Sequence, residues 1–155
     1  MKYKVVISKR NKTFPIKGLN ELLDAETHRY DPRTKRVVVC NKVKADNDKT
    51  CRLAIQRDLR GVKIDKPIRC HYYIFVKDKK HDRGNVYASL EKSFLDALQQ
   101  KKVIKNDTFD LVLDSTFHTE LCRHNPRIEV IIEEVSQKAL EKFNGLLEIE
   151  ESEGE

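Results

Sequence analysis

The sequence contains no tryptophan, one methionine and only five glycines in 155 residues. The glycines form no phosphate-cradling loop, which argues against a nucleotide-binding fold. The four cysteines form no Cys-x-x-Cys pair, so a zinc ribbon is excluded and reduced thiols in a cytoplasmic protein are expected. No apolar run approaches the length of a membrane span, and residues 1–10 hold no apolar signal segment. We therefore expect a protein that is neither secreted nor inserted in a membrane.

Positive charge is what the sequence has in excess. The formal net charge is +6, and the last eight residues, 148–155, hold five glutamates and no base, so residues 1–147 carry +11. Such a body favours a polyanionic partner through counterion release, the alternative being a soluble basic protein without one. The length predicts one domain over residues 1–147, followed by an acidic, disordered tail over 148–155.

Hydrophobic periodicity predicts an α+β (mixed α/β) fold, with two main helices packed on one small mixed sheet. Strands are predicted at residues 3–8, 67–77, about 111–117 and 127–135. Helices are predicted at residues 46–59, capped by Asp46, Asn47 or Asp48, at 86–100, and, as shorter segments, at 19–25 and 138–147. Residues 9–35 are expected to form an irregular basic arm. The short apolar run 37–40 is compatible with a helix or a strand.

The helix at 86–100 has two contrasting faces. Its apolar stripe consists of Val86, Leu90, Ser93, Phe94, Ala97 and Leu98. A compact polar row is predicted on the opposite side, formed by Asn85, Ser89, Lys92 and Asp96. Taken alone, Lys92 and Asp96 are compatible with an ordinary exposed ion pair.

Two carboxylates flank this helix. Asp82 precedes it after one predicted strand, and Asp107 follows it just before the next. If these strands are neighbours, both acids lie near Lys92, and they would form an oxygen-rich site suited to Mg²⁺. Such a site binds phosphate and activates water for in-line attack.

The order and spacing of these residues resemble the signature of RusA-like Holliday-junction resolvases over about residues 67–135. That family has Asp-x-Asp-Asn at the start of a helix, then Lys, then Asp-Ala-Leu, then an acidic pair before a strand. The matching segments here are 82–85 (DRGN), Lys92, 96–98 (DAL) and 106–107 (ND). Two departures are Gly84 in place of the second aspartate and Lys92 seven residues after Asn85 instead of three.

The resemblance implies a RusA-like fold and a homodimeric, Mg²⁺-dependent endonuclease that cuts Holliday junctions and other branched DNA by paired nicks, with Mn²⁺ as an alternative ion. It implies that Asp82 and Asp107 bind the metal, that Lys92 contacts the scissile phosphate, and that Asn85 and Asp96 position other groups. Three acids are candidates for the ligand missing at Gly84, namely Asp96, Asp110 and Asp114. Because of Gly84, a non-catalytic branched-DNA-binding protein is the alternative, and a basic RNA-associated domain is a weaker one.

The segment from Lys9 to Lys49 carries eleven lysines or arginines, interleaved with Phe14 and Tyr30. We predict that it contacts the DNA backbone, with an aromatic wedge at a junction; the alternative is a solvated loop. The bases expected to contact DNA are Lys9, Arg10, Lys12, Arg33, Lys35, Arg36 and, at the start of the second main helix, Arg83.

Overall fold

The computed structural model describes residues 1–80, 83–136 and 141. Its elements are β1 (Lys2–Ile7), α1 (Leu19–Asp24), β2 (Glu26–Asp31), β3 (Arg36–Asn41), α2 (Lys42–Asp58), β4 (Ile68–Val76), α3 (Arg83–Gln100), β5 (Val112–Leu121) and β6 (Arg127–Glu134). The predicted α+β class is confirmed. The helix predicted at 138–147 and the acidic tail at 148–155 lie outside the described residues, apart from residue 141. No described helix is long and apolar enough to cross a membrane.

Four of these strands form one mixed sheet in the order β1-β6-β4-β5. β6 pairs antiparallel with both β1 and β4, whereas β5 runs parallel to β4. Parallel neighbours need a crossover connection, and α3 provides it. The condition set for the two flanking acids, that the strands on either side of this helix are neighbours, is therefore met.

The hydrophobic core lies between one face of this sheet and the helices. Alternate residues of β4 are buried, namely Ile68, Cys70, Tyr72, Ile74 and Val76. The predicted apolar stripe of α3 is confirmed, because all six of its residues are buried. At the centre, the rings of Tyr72 and Phe94 meet edge to face with centroids 5.7 Å apart, a favourable aromatic geometry.

Helix α2 begins earlier than predicted. It starts at Lys42, and its N-cap is Asn41, whose Oδ1 accepts a hydrogen bond from the Lys44 amide at 3.0 Å. The prediction of a cap at residues 46–48 is wrong. Asn41 ends β3 and caps α2, so the strand passes into the helix without a loop, and the polar residues at 46–48 lie inside the helix.

The irregular arm predicted at residues 9–35 is also wrong in part, because β2 and β3 form an antiparallel hairpin. Its register runs from Glu26 opposite Asn41 to Asp31 opposite Arg36. In the turn, Asp31 Oδ1 accepts a hydrogen bond from the Arg33 amide at 2.9 Å, as short acidic side chains commonly do in turns. Apart from Tyr30 the residues of β2 are polar, so no hydrophobic alternation indicates the strand.

The C-terminal end of α2 contacts one point on the exposed edge of the sheet. β1 is an edge strand, and its residue Val6 donates an amide hydrogen bond to Asp58 Oδ2 at 2.8 Å. Arg57 donates to the Val6 carbonyl oxygen and to both carboxylate oxygens of Asp58. These contacts satisfy backbone groups that an edge strand would otherwise offer to another chain.

The Asp58 contacts predict a pH-dependent contribution to stability. The Arg57 guanidinium and the Val6 amide hold the pKa of Asp58 below its usual value, against the opposing effect of burial. A lowered pKa stabilises the folded state above the unfolded pKa of about 3.9, and this contribution disappears as pH falls through the folded value. We expect Asp58→Asn to reduce the free energy of unfolding by about 1 kcal/mol at pH 7. The difference from wild type should shrink below pH 4 in urea denaturation, and a pH-independent difference would contradict this account.

The cysteines should fall into two reactivity classes. Burial raises the pKa of Cys51 and of Cys70 to about 12, so these thiols stay protonated and unreactive in the native state. Cys40 and Cys122 are only half-buried. We expect two thiols to react quickly with an aromatic disulfide reagent at pH 8, and the other two only after unfolding. Four thiols reacting at one rate in the native protein would contradict the burial of the core pair.

Candidate functional site

A cleft of about 540 Å³ follows the exposed flank of α3. Six helix residues line it with the spacing of one helical face, namely Gly84, Tyr87, Ala88, Glu91, Lys92 and Leu95. Asp107, from the connection between α3 and β5, and Phe117, from β5, complete the lining. The cleft therefore lies where the crossover helix meets the chain that enters the parallel strand.

Lys92 and Asp107 are two of the three residues predicted to be catalytic, and the structure brings them into this cleft. Both side chains are exposed. Within the described residues, neither takes part in an ion pair or hydrogen bond. The third predicted residue, Asp82, lies outside the described residues. Gly84, two positions further along the chain, lines the same cleft.

Glu91 is a cleft residue that the sequence reasoning missed. It lines the main cleft beside Lys92, and also an adjoining cleft of about 460 Å³ that it shares with Asp107 and Asp114. Glu91 was overlooked because it falls between the apolar stripe and the predicted polar row of α3. Its position next to Lys92, in a chain rich in positive charge, was the available signal.

Aromatic rings form the inner wall of the cleft. Phe117 stacks on Tyr87 with centroids 4.6 Å apart, and on Tyr72 with centroids 4.9 Å apart. The Tyr87 hydroxyl also hydrogen bonds to Thr119 Oγ1 at 2.6 Å. This stack joins α3 to β4 and β5, so the wall is rigid and presents apolar ring surface beside the charged groups.

The polar row predicted on α3 is divided between two environments, and only Lys92 faces the cleft. Ser89 is buried and donates a hydrogen bond to the Lys17 carbonyl oxygen at 2.8 Å. Asn85 Oδ1 accepts a hydrogen bond from the Asn20 amide at 2.7 Å. Asn85, predicted to be a positioning residue, thus holds the start of α1 against the start of α3.

Asp96 belongs to an ion network between α2 and α3. Lys44 Nζ lies 2.7 Å from Asp48 Oδ2 and 3.3 Å from Asp96 Oδ2. Burial lowers the pKa of Lys44, but its hydrogen bonds and the charges of the two aspartates outweigh this effect and raise the pKa above its usual value. To act as a metal ligand, Asp96 would first have to lose this pairing with Lys44.

The remaining candidate ligands occupy other positions. Asp110 is exposed and lies two residues before β5. Asp114 lies on β5, where its Oδ1 is 3.2 Å from Nε of Arg69 on β4. Among the residues described here, no three acidic, histidine or cysteine side chains come together as a metal-binding group. A complete site would therefore need a further donor, and Asp82 lies outside the described residues.

The bases predicted to contact DNA are all exposed. Three follow β1, three lie at the turn of the hairpin, and one begins α3: Lys9, Arg10 and Lys12; Arg33, Lys35 and Arg36; and Arg83. Ile7 of β1 and Ile74 of β4 both pair with Ile128 of β6. The C-terminal ends of β1 and β4 therefore lie at the same end of the sheet. Phe14 packs against the core, which excludes it as a wedge, whereas Tyr30 is exposed.

Neither a protein-family model nor a curated protein matches this chain.

The contact between Gly18 and Asn85 predicts a mutational effect. A Cβ atom at Gly18 would lie 2.4 Å from Asn85 Nδ2, which is closer than van der Waals contact allows. We expect Gly18→Ala to lower the free energy of unfolding by about 1–3 kcal/mol in urea denaturation. Adding Asn85→Ala removes the clash, so the double variant should lose less than the sum of the two single changes. If the loss in the double variant equals the sum of the losses in the two single variants, the contact between Gly18 and Asn85 does not exist.

Proposed function

We propose that the protein is a structure-selective, metal-dependent endonuclease that hydrolyses phosphodiester bonds in branched DNA, as the RusA-like resolvases it resembles do. The observation that carries this proposal is the presence of Lys92 and Asp107 in one cleft. These residues are separated in sequence by the end of a helix and a loop. Their meeting is what the motif requires for a phosphate-cleaving centre.

The charge pattern in the cleft supports an anionic substrate held with a cation. Lys92 has no described carboxylate within ion-pairing distance, so its ammonium group is available to a phosphate and to the charge that develops during cleavage. Glu91 and Asp107 line the same cleft without a described cationic partner. Two carboxylates beside a DNA backbone repel it unless a cation lies between them.

Carboxylate oxygens are the donors that Mg²⁺ prefers, and Mn²⁺ also accepts them. In this proposal Asp107 and Glu91 supply two of the donors, and Asp82 supplies a third. A divalent ion bound there provides a phosphate-binding charge and an activated water. Tyr87 and Phe117 line the same cleft with stacked rings, and Lys92 supplies the positive charge that would orient the phosphate.

The exposed bases favour a DNA substrate, and the resemblance to RusA-like resolvases is what points to branched DNA. The bases after β1 and at the start of α3 lie at one end of the sheet. Those of the hairpin lie at the other end of the basic segment that begins after β1. Cutting two strands symmetrically requires two active sites, so we propose that the working form is a homodimer. Its mass in solution, measured by light scattering with and without a junction, tests this part.

A second candidate is a non-catalytic protein that binds branched DNA. Gly84 at the position of an expected carboxylate favours it, as does the lack of a three-donor group within residues 1–80, 83–136 and 141. It shares the basic surfaces with the first candidate and differs only in the chemistry of the cleft.

Cleavage of a synthetic four-way junction separates the two candidates. We expect the wild-type protein to nick the junction with Mg²⁺ or Mn²⁺, and not with a chelator. Asp107→Asn, Asp82→Asn and Lys92→Met should each lower the single-turnover rate by at least about 100-fold, because each removes charge from the reacting centre. Glu91→Gln should have a comparable effect if Glu91 replaces the carboxylate missing at Gly84.

The matched control is Asp65→Asn, an exposed acid in the loop between α2 and β4, which should cut at the wild-type rate. Junction affinity, measured in Ca²⁺, should change little in the Asn variants. Tight binding by the wild-type protein without nicking in either ion would favour the second candidate. Normal cutting by Asp107→Asn would show that the cleft is not the active site.

A further inference from the structure

One face of the β2–β3 hairpin exposes three apolar side chains, beside a His28–Glu26 pair whose Nε2 and Oε2 atoms are 3.8 Å apart. Tyr30 pairs with Val37 and His28 pairs with Val39, and side chains of directly opposed residues project on the same side. Tyr30, Val37 and Val39 are 61%, 63% and 54% exposed, and we call these three residues the hairpin face. Large exposed apolar side chains that stand together indicate a binding surface more often than isolated ones do.

Within the described chain, the substantial contacts of the hairpin are those between its own two strands. A two-stranded ribbon is at best marginally stable by itself in water. The hairpin is held mainly at its base, where Asn41 caps α2 and donates a hydrogen bond to the Leu22 carbonyl oxygen at 2.7 Å. The hairpin face is therefore left uncovered by the part of the chain that the structure describes.

The hairpin carries four positive charges, two in its turn and two on the side opposite this face. Arg29 and Arg36 belong to the opposite side of the ribbon, and Arg33 and Lys35 lie in the turn. All four are exposed, and none forms an ion pair with a described acid. An apolar protein surface would leave these charges without partners, whereas a nucleic acid offers phosphates for the bases and flat ring faces for Tyr30.

The dimensions of the ribbon agree with DNA as the partner. The major groove of B-form DNA, about 12 Å wide, admits a two-stranded β-ribbon. In continuous duplex the base faces are stacked, so an apolar side chain that inserts there must unstack a base step at a cost in free energy. Insertion therefore costs least where stacking is already interrupted. A branch point is such a place, because base pairs at the ends of the arms lose a stacking neighbour.

We propose that the hairpin face recognises the branch point itself, with Tyr30 and Val37 packed on an unstacked base pair. Arg33 and Lys35 in the turn then bind the neighbouring phosphates, and Arg29 and Arg36 add positive charge on the opposite side of the ribbon. This inference rests on the proposed DNA substrate, but not on cleavage. It separates two tasks, because the apolar face selects branched over linear DNA, while the bases bind both forms.

The position of the hairpin relates branch recognition to the cleft. The base of the hairpin contacts α1 through Asn41, and α1 begins at the hydrogen bond between the Asn20 amide and Asn85 Oδ1 on α3. Gly84, the neighbour of Asn85, lines the cleft. Contact with the branch point therefore positions a phosphodiester relative to a fixed end of α3.

The test compares binding of a four-way junction and of a linear duplex with the same arm sequences, in Ca²⁺ so that cleavage does not interfere. The double variant Tyr30→Ser/Val37→Thr should lose about tenfold in junction affinity and keep its duplex affinity. Arg33→Gln/Lys35→Gln should weaken both complexes equally. The slope of log affinity against log salt concentration should become shallower by the amount that corresponds to about two phosphate contacts. Tyr30→Phe keeps the ring and should keep the selectivity.

Leu23→Ser is the matched control, because Leu23 is 58% exposed on α1 and lies outside the hairpin face. This variant should bind both DNAs as the wild-type protein does. A second readout is 2-aminopurine placed at the branch point. Its fluorescence should change on binding of the wild-type protein, and should not change with the Tyr30→Ser/Val37→Thr variant.

The outcomes distinguish this inference from the proposed function. If the wild-type protein binds neither DNA, the proposed DNA substrate fails, and this inference fails with it. If the wild-type protein prefers the junction and Tyr30→Ser/Val37→Thr prefers it equally, only the inference about the hairpin face is overturned. If that variant converts a dimer into a monomer in light scattering, the face is covered by a second copy of the chain, which also overturns it.

Discussion

The parallel pairing of β4 and β5 is the constraint on which the rest of the structure depends. Parallel neighbours cannot be joined by a tight turn, so α3 must cross over the sheet between them. The helix buries one side in the core, supports the arm and α2 on a second side, and lines the cleft with a third. Because all three surfaces belong to one rigid helix, the cleft, the arm and the core are fixed relative to one another.

Acidic side chains that contact other elements of the fold are paired with bases, whereas those of the cleft are not paired with a described base. Asp96 and Asp48 share Lys44, and Asp58 is paired with Arg57, so these acids are compensated where they contact other elements. In the cleft, by contrast, Glu91 and Asp107 have no described cationic partner. Uncompensated carboxylates near each other destabilise a fold slightly, and such arrangements persist where a ligand uses them. This difference is one of the observations on which the proposed metal site rests.

The segment that precedes α2 is anchored to the helices at Lys17, whereas its β2–β3 hairpin has few contacts with them. Asn47 clamps the backbone of Lys17 with two hydrogen bonds, and Ser89 donates a third. Beyond this anchor, the hairpin has few contacts with the rest of the described chain, and its apolar face is exposed. A firmly rooted ribbon with an uncovered apolar face is suited to binding a large partner without rearrangement of the core.

Local periodicity in the sequence determined the main strands, the two long helices and the buried stripe of α3, because each depends on which side chains recur on one face. The motif also indicated that Lys92 and Asp107 belong together. Only the tertiary structure decided the hairpin, since the polar β2 becomes a strand by pairing with β3. It also decided that Asp96 is paired with Lys44 and that Glu91 lines the cleft. These outcomes depend on which segment packs opposite a given residue, and a linear pattern does not contain that information.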